Sequence, residues 1–175
     1  MPRHQIGIKD RHSQGDGLLG LNLISTPSSC YRFRPVDTKL KGDIAEQSTV
    51  VQALKKGWGV LQPVGDRLAY DLVFDVNGSL LKIQVKAAWF HQASQNYVVD
   101  NRRTKTNRRS MVRSPYSTTD FDFAIAYISA LEVFYIFPAD VFISYGSEIH
   151  LVETEKRQRK PRSADYRERW DLLQP

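Results

Sequence analysis

Glu46, Asp71, Gln84 and Lys86 are the side chains of this 175-residue chain whose types and spacing could do chemistry. Carboxylate and amide oxygens are the ligands a hard cation takes, and an ammonium beside them can neutralise charge developing on an anion. A turn brings three of them together. Asn77-Gly78 is a two-residue type I′ signal, since both central positions want positive φ. With those two residues as the loop, Val76 faces Ser79 and Asp71 falls opposite Gln84, with Lys86 on the adjacent diagonal of the same face. The plainer alternative is a solvated face with an incidental charge pair.

The elements around these residues can be read by period. Side chains alternate along the arms, so Tyr70, Leu72, Phe74 and Val76 share a core face with Leu81, Ile83 and Val85. The opposite face carries Asp71, Val73, Asp75, Leu80, Lys82, Gln84 and Lys86. Upstream, residues 37–56 read as a helix capped by Asp37 or Thr38, with Leu40, Ile44, Val51 and Leu54 near helical spacing and Gly57 just beyond its end. Glu46 lies about 200° from Ile44 at 100° per residue, an angle that points it toward solvent. Gly42 and Ala45 are small enough to let this part of the helix approach a sheet closely. Residues 58–62 read as a short strand stopped by Pro63.

Downstream, 96–100 reads as a strand, followed by the most basic stretch of the chain, 102–113. That stretch holds six basic residues and no acid, so it repels itself unless a polyanion neutralises it. Arg102, Arg103, Lys105, Arg108, Arg109 and Arg113, flanked by Tyr97 and Tyr116, are the candidate DNA-contacting residues. Residues 123–128 and 133–137 are nearly continuous apolar runs, as in strands buried on both sides. Pro138 opens a short helix, 148–153 reads as a last strand, and Ser163 is placed to cap a terminal helix that docks Trp170, Leu172 and Leu173. The basic run 156–162 is a second candidate DNA-facing patch.

Composition bounds the rest. The length suits one ordinary domain with a real core, and the net charge of +6 favours an acidic partner such as nucleic acid. Cys30 stands alone, which excludes an internal disulfide and a cysteine-based zinc site and fits a reducing compartment. His4, His12, His91 and His150 lack ligand spacing. Residues 1–35, with four glycines and three prolines, read as a disordered arm or an upstream extension. They show no secretory signal, and no apolar run is long enough to span a bilayer, so a bacterial cytoplasmic location is expected.

Gly42 and Glu46 on a first helix, then Tyr70-Asp71, then Ile83-Gln84-Val85-Lys86 across a hairpin, resemble the PD-(D/E)XK nuclease superfamily. KGDIAEQ, the QVK variant and NRRTKTNRR look like its cyanobacterial group I intron-encoded homing endonucleases, and DFDFAIAYI, FYIFP and YRERW are similar to the same group. The resemblance covers about 37–173. It implies an α/β fold with a central mixed β-sheet flanked by helices, a restriction-endonuclease-like core over 36–175 with a basic DNA-binding insertion near 101–117. It also implies metal-dependent hydrolysis of phosphodiester bonds in double-stranded DNA, in the service of intron mobility. Asp71 would be the principal ligand of Mg²⁺ or Mn²⁺, with the Val85 carbonyl beside it and Glu46 reaching in from the helix. Lys86 would orient the attacking water or stabilise the phosphate. Gln84 replaces the superfamily's usual acid and adds no charge, so weaker metal affinity is expected.

Two other readings fit the motifs: a Holliday junction resolvase-like nuclease, and a non-catalytic nucleic-acid-binding module on the same fold. The set Glu46, Asp71 and Lys86 argues against a pure binder, which has no need of an acidic cluster. Cutting both strands of a duplex needs two active sites, so at least a dimer is expected; the resemblance implies a tetramer.

Overall fold

The computed structural model describes residues 37–106, 111–154 and 160–174. The expected arm, 1–35, lies outside them, as do Arg108, Arg109 and most of the basic run 156–162. Helix α1 (Thr38–Lys55) begins where expected, with the Asp37 carboxylate accepting from the Lys39 N–H at 2.9 Å and Gly57 at φ +79° beyond its end.

The buried stripe of α1 is not the one its large apolar residues suggest. Ala45, Thr49 and Ala53 face the core at a spacing of four, while Leu40, Ile44, Val51 and Leu54 are all exposed. Small residues let the helix lie close to the sheet, and the buried Thr49 hydroxyl donates to the Ala45 carbonyl. Turning the helix this way brings Glu46, beside Ala45, to a half-buried position instead of solvent. Gly42 plays no part in the approach, since a Cβ there would meet nothing within 4 Å.

Strands β1 (Gly59–Leu61), β2 (Leu72–Val76) and β3 (Ser79–Ala87) follow. Then come β4 (Trp89–His91), β5 (Asn96–Asp100), β6 (Arg102–Thr106), β7 (Met111–Pro115), β8 (Phe123–Ile128) and β9 (Val133–Pro138). The chain ends in α2 (Ala139–Ile143), β10 (Glu148–Leu151) and two short 3₁₀ turns, Arg162–Tyr166 and Trp170–Leu173. The main sheet has the order β1-β2-β3-β8-β9; β3 and β8 run parallel and the other pairs antiparallel. This is the mixed sheet of an α/β fold.

Both faces of that sheet are covered. On one, Leu72, Phe74, Ile83, Val85, Ile125 and Ile136 pack with Ala45 and Ala53 of α1 and with Trp170 and Leu173. On the other, Ala124, Ala126, Tyr135 and Phe137 pack with α2 and with a second sheet of order β10-β5-β4. The second face is therefore covered by α2 together with strands.

The C-terminal segment also departs from expectation. Ser163 lies inside the first 3₁₀ turn, and its hydroxyl donates to the His150 carbonyl instead of capping a helix. Beyond it the chain runs along β9, the outer strand: Glu168 N–H donates to the Phe134 carbonyl at 2.8 Å, and the Glu168 carboxylate accepts from Phe134 N–H and Trp170 Nε1.

Candidate active site

The hairpin β2–β3 has the register its turn dictates. Asn77 and Gly78 take φ of +53° and +85°, and Val76 pairs with Ser79 through to Leu72 with Ile83. Asp71 continues that ladder, its N–H donating to the Ile83 carbonyl at 2.9 Å. A slip of one residue would turn Leu72, Phe74 and Val76, all fully buried, to the wrong face, at about 1.5–3 kcal/mol each. The register is fixed by burial as well as by the turn.

Asp71, Gln84 and Val85 are tied together at the end of this ladder. Asp71 Oδ2 accepts from the Val85 N–H at 2.7 Å and from the Gln84 amide, which also donates to the Val85 carbonyl at 3.0 Å. Burial pushes the Asp71 carboxyl up, opposed by the Val85 N–H, by the charges of Lys86 and Arg103, and by Gln84. Glu46 is raised to about 7, first through burial and then through the like charges of Asp71 and Asp43. The helix thus carries Glu46 into the electrostatic field of Asp71.

Lys86 is partly withdrawn from water, and burial lowers its pKa against the attraction of Asp71 and Asp100. Its Nζ donates to the Arg102 carbonyl at 3.1 Å and sits 4.9 Å from the centre of the Tyr116 ring. Both contacts come from the base of a second hairpin, β6–β7, in which Arg102 pairs with Pro115.

This second hairpin is the basic stretch, folded as a strand pair. It is not without counter-ions: Asp100, just before it, pairs with Arg102 at 3.0 Å and Arg113 at 3.7 Å. Sequence reasoning counted acids only inside the run and so missed Asp100. Arg103 Nη2 donates to the carbonyls of Arg67 and Leu68 at 2.8 and 2.7 Å, in the loop before Asp71. Its charge reaches Asp71, Lys86 and Tyr116. Lys105 is a position on β6 opposite Val112.

The two tyrosines pack among aromatic rings. Tyr97 packs edge-on to Phe90 at 5.2 Å and lines an apolar cavity of about 430 Å³ with Leu40 and Ile44. Tyr116 is only 6% exposed, packed between Phe121 and Phe142. That burial leaves almost none of its ring to stack on a base, contrary to the expectation of a DNA contact.

Among the described residues, no group of three His, Cys, Asp or Glu side chains stands together as a metal site. Asp71, Glu46 and a strand carbonyl nonetheless fit a hard divalent cation, which takes one or two carboxylates and fills its remaining positions with other oxygens. The elevation of Glu46 by the charge of Asp71 is what such a cation would relieve.

A mixed sheet with a carboxylate and a lysine on one hairpin and a glutamate on the preceding helix defines a nuclease of the PD-(D/E)XK class. The PD-(D/E)XK endonuclease family model matches residues 36–173, and the chain belongs to that family. Among solved structures, the chain is similar to a bacterial homing endonuclease, I-Ssp6803I, with 70% identity and a TM-score of 0.74 over 78% of this chain and 93% of that one. Among curated proteins, no sequence matches. No helix among the described residues is long and apolar enough to cross a membrane.

Proposed function

We propose that this endonuclease is a site-specific homing endonuclease that hydrolyses both strands of a DNA duplex with Mg²⁺ or Mn²⁺ and so promotes intron mobility. The observation that carries the reading is the hairpin register, which sets Asp71, Gln84 and Lys86 on one face while α1 brings Glu46 to the same field. The likeness to a bacterial homing endonuclease supports the biological setting.

In this reading Asp71 and the Val85 carbonyl hold the cation, with Glu46 as a further ligand. The cation supplies a lowered pKa for bound water and neutralisation of phosphate charge. Asp71 is kept in place by the Val85 N–H and the Gln84 amide, both of which donate to Oδ2. Lys86, partly withdrawn from water, orients the attacking water or stabilises charge on the phosphate more strongly than a fully exposed lysine would. Gln84 adds no charge, and its amide donates to two of the proposed ligands, which supports weak metal affinity. Arg102, Arg103, Lys105, Arg108, Arg109 and Arg113 track the phosphate backbone.

Cutting two strands takes two copies of this site. The exposed apolar stripe of α1, Leu40, Ile44, Val51 and Leu54, is the surface we assign to a second copy, since four large apolar side chains on one helix face are seldom left open to water. Light scattering should give at least a dimer, and Leu40→Asp with Ile44→Asp should give a monomer; a monomeric parent protein would reject the assignment. The activity itself is tested by incubating linear duplex, a four-way junction and a single strand, each with and without Mg²⁺. Metal-dependent double-strand cleavage of the duplex at a defined site is expected. Cleavage of the junction alone would move the protein to the resolvases, and binding without cleavage to the non-catalytic modules.

A further inference from the structure

Tyr116 belongs to no part of the nuclease motif, yet it makes the closest aromatic contact to its lysine. The Lys86 ammonium has two protein partners at the base of β6–β7: the Arg102 carbonyl at 3.1 Å and the Tyr116 ring at 4.9 Å. Arg102 opens β6 and Tyr116 directly follows β7, so the two partners are the two roots of one hairpin. Each root is fixed to the same part of the second core. Asn101, the residue before β6, sets its Nδ2 2.7–3.1 Å from the carbonyls of Phe142, Tyr145 and Gly146, and its N–H donates to the Ser147 carbonyl. Tyr116 packs on Phe121 at 5.1 Å and Phe142 at 6.4 Å. The two arms of the hairpin carry Arg103 and Arg113.

We propose that Tyr116 is a positioning residue: its ring face and the Arg102 carbonyl form a seat that fixes the Lys86 ammonium, so the hairpin that contacts DNA also sets the catalytic lysine. This rests on the role given to Lys86 above. A lysine has four rotatable bonds and an ammonium that prefers water, so a buried one stays in a single position only if something attractive holds it. A ring face attracts a cation most where water is excluded, and a carbonyl takes one of its three N–H groups. The carbonyl and the ring face do both jobs, leaving other N–H groups for the phosphate or the attacking water. Because both partners sit at the hairpin roots, displacement of the arms by DNA acts on the lysine at short range.

The test uses the full chain and a duplex carrying the cleaved site recovered from a randomised pool. Tyr116→Leu should lower the single-turnover rate at saturating protein roughly 10–30-fold. The Kd for the duplex without Mg²⁺ should stay within about twofold, because the buried ring makes no DNA contact. Tyr116→Phe keeps the ring face and should restore the rate to about parental. Phe121→Leu disturbs the same aromatic cluster without touching Lys86; it should lose comparable thermal stability and keep its rate. Four results overturn the proposal: parental rate in Tyr116→Leu, an equal fall in Tyr116→Phe, an equal fall in Phe121→Leu, or a loss confined to Kd. Lys86→Ala, run alongside, separates the two levels. If Lys86→Ala cleaves at the parental rate, the role of Lys86 itself is wrong; if it is inactive while Tyr116→Leu is normal, only the seat is wrong.

Discussion

The two hairpins, β2–β3 and β6–β7, each pair five residues of one arm with five of the other, and they use the pairing in opposite ways. In the first, Leu72, Phe74, Val76 and Ile83 are fully buried, so position is enforced by the core. In the second, Thr104 and Arg113 are exposed, and what holds the base is the ion pairing of Asp100 and the bonds from Arg103 to two loop carbonyls. Bond breaking needs atoms placed within a fraction of an ångström, and burial supplies that. Reading a long polyanion needs reach and charge, which exposed strands supply. The difference teaches that one protein can hold the hairpin proposed for chemistry by burial and the hairpin proposed for DNA contact by surface ion pairs and hydrogen bonds.

The sharpest break in that contrast comes from removing the ammonium. Lys86→Ala should lower cleavage by roughly 10²–10³ or more while duplex binding without Mg²⁺ is unchanged; a large loss of binding would put Lys86 on the recognition side. Arg108→Ala with Arg109→Ala should do the reverse, raising Kd about tenfold at 0.15 M salt and reducing the salt slope by about two, with the single-turnover rate intact. An unchanged salt slope would show that these arginines do not meet phosphate. Gly78→Ala forces a side chain into φ +85° and should lower stability by about 1 kcal/mol or more, a fall in Tm of roughly 2–4 °C for each kcal/mol. No fall would mean that burial alone holds the catalytic register.

The smallest effect expected concerns Glu46. Its carboxyl is raised from an ordinary 4.5 to about 7 by burial, then by Asp71 and Asp43. Between those values the unfolded chain gives up a proton that the folded chain keeps, so the metal-free protein loses stability as pH rises through the window. Glu46→Gln removes that penalty. Its Tm should match the parent at pH 4 and exceed it by roughly 2 °C at pH 8 without metal, and Mg²⁺ should then favour the parent. Equal melting curves at pH 8 would show that Glu46 is not in the field of Asp71.

The catalytic hairpin was legible because an Asn-Gly turn and strict alternation leave one register. The double burial of β8 and β9 was legible from their apolar runs, whereas the mixed sheet followed only from the family resemblance. The face of α1 was not. Leu40, Ile44, Val51 and Leu54 have the stronger apolar signal, but the sheet selects Ala45, Thr49 and Ala53, since close approach matters more there than side-chain volume. The angle from Ile44, taken alone, likewise pointed Glu46 toward solvent, whereas it is half-buried. Tyr116 looked like a DNA contact because the residues beside it in sequence are basic, whereas its neighbours in space are Phe121, Phe142 and Lys86. Such proximity crosses the sheet and leaves no local pattern. The tail resisted because its backbone closes only two short 3₁₀ turns, with Glu168 between them bonded to β9.

That tail has a consequence for how the protein survives in a crowded cell. β9 is the outer strand of the main sheet on the side away from β1, and an open edge of apolar residues is a template on which further chains can add. Glu168 occupies the edge donor and acceptor of Phe134 with its carboxylate and its own N–H, and Tyr135 bridges to Arg167. The opposite edge, β1, is only three residues long. A chain that stopped ten residues early would keep Glu46, Asp71, Gln84 and Lys86 and lose the residue that covers the Phe134 edge against pairing with another sheet.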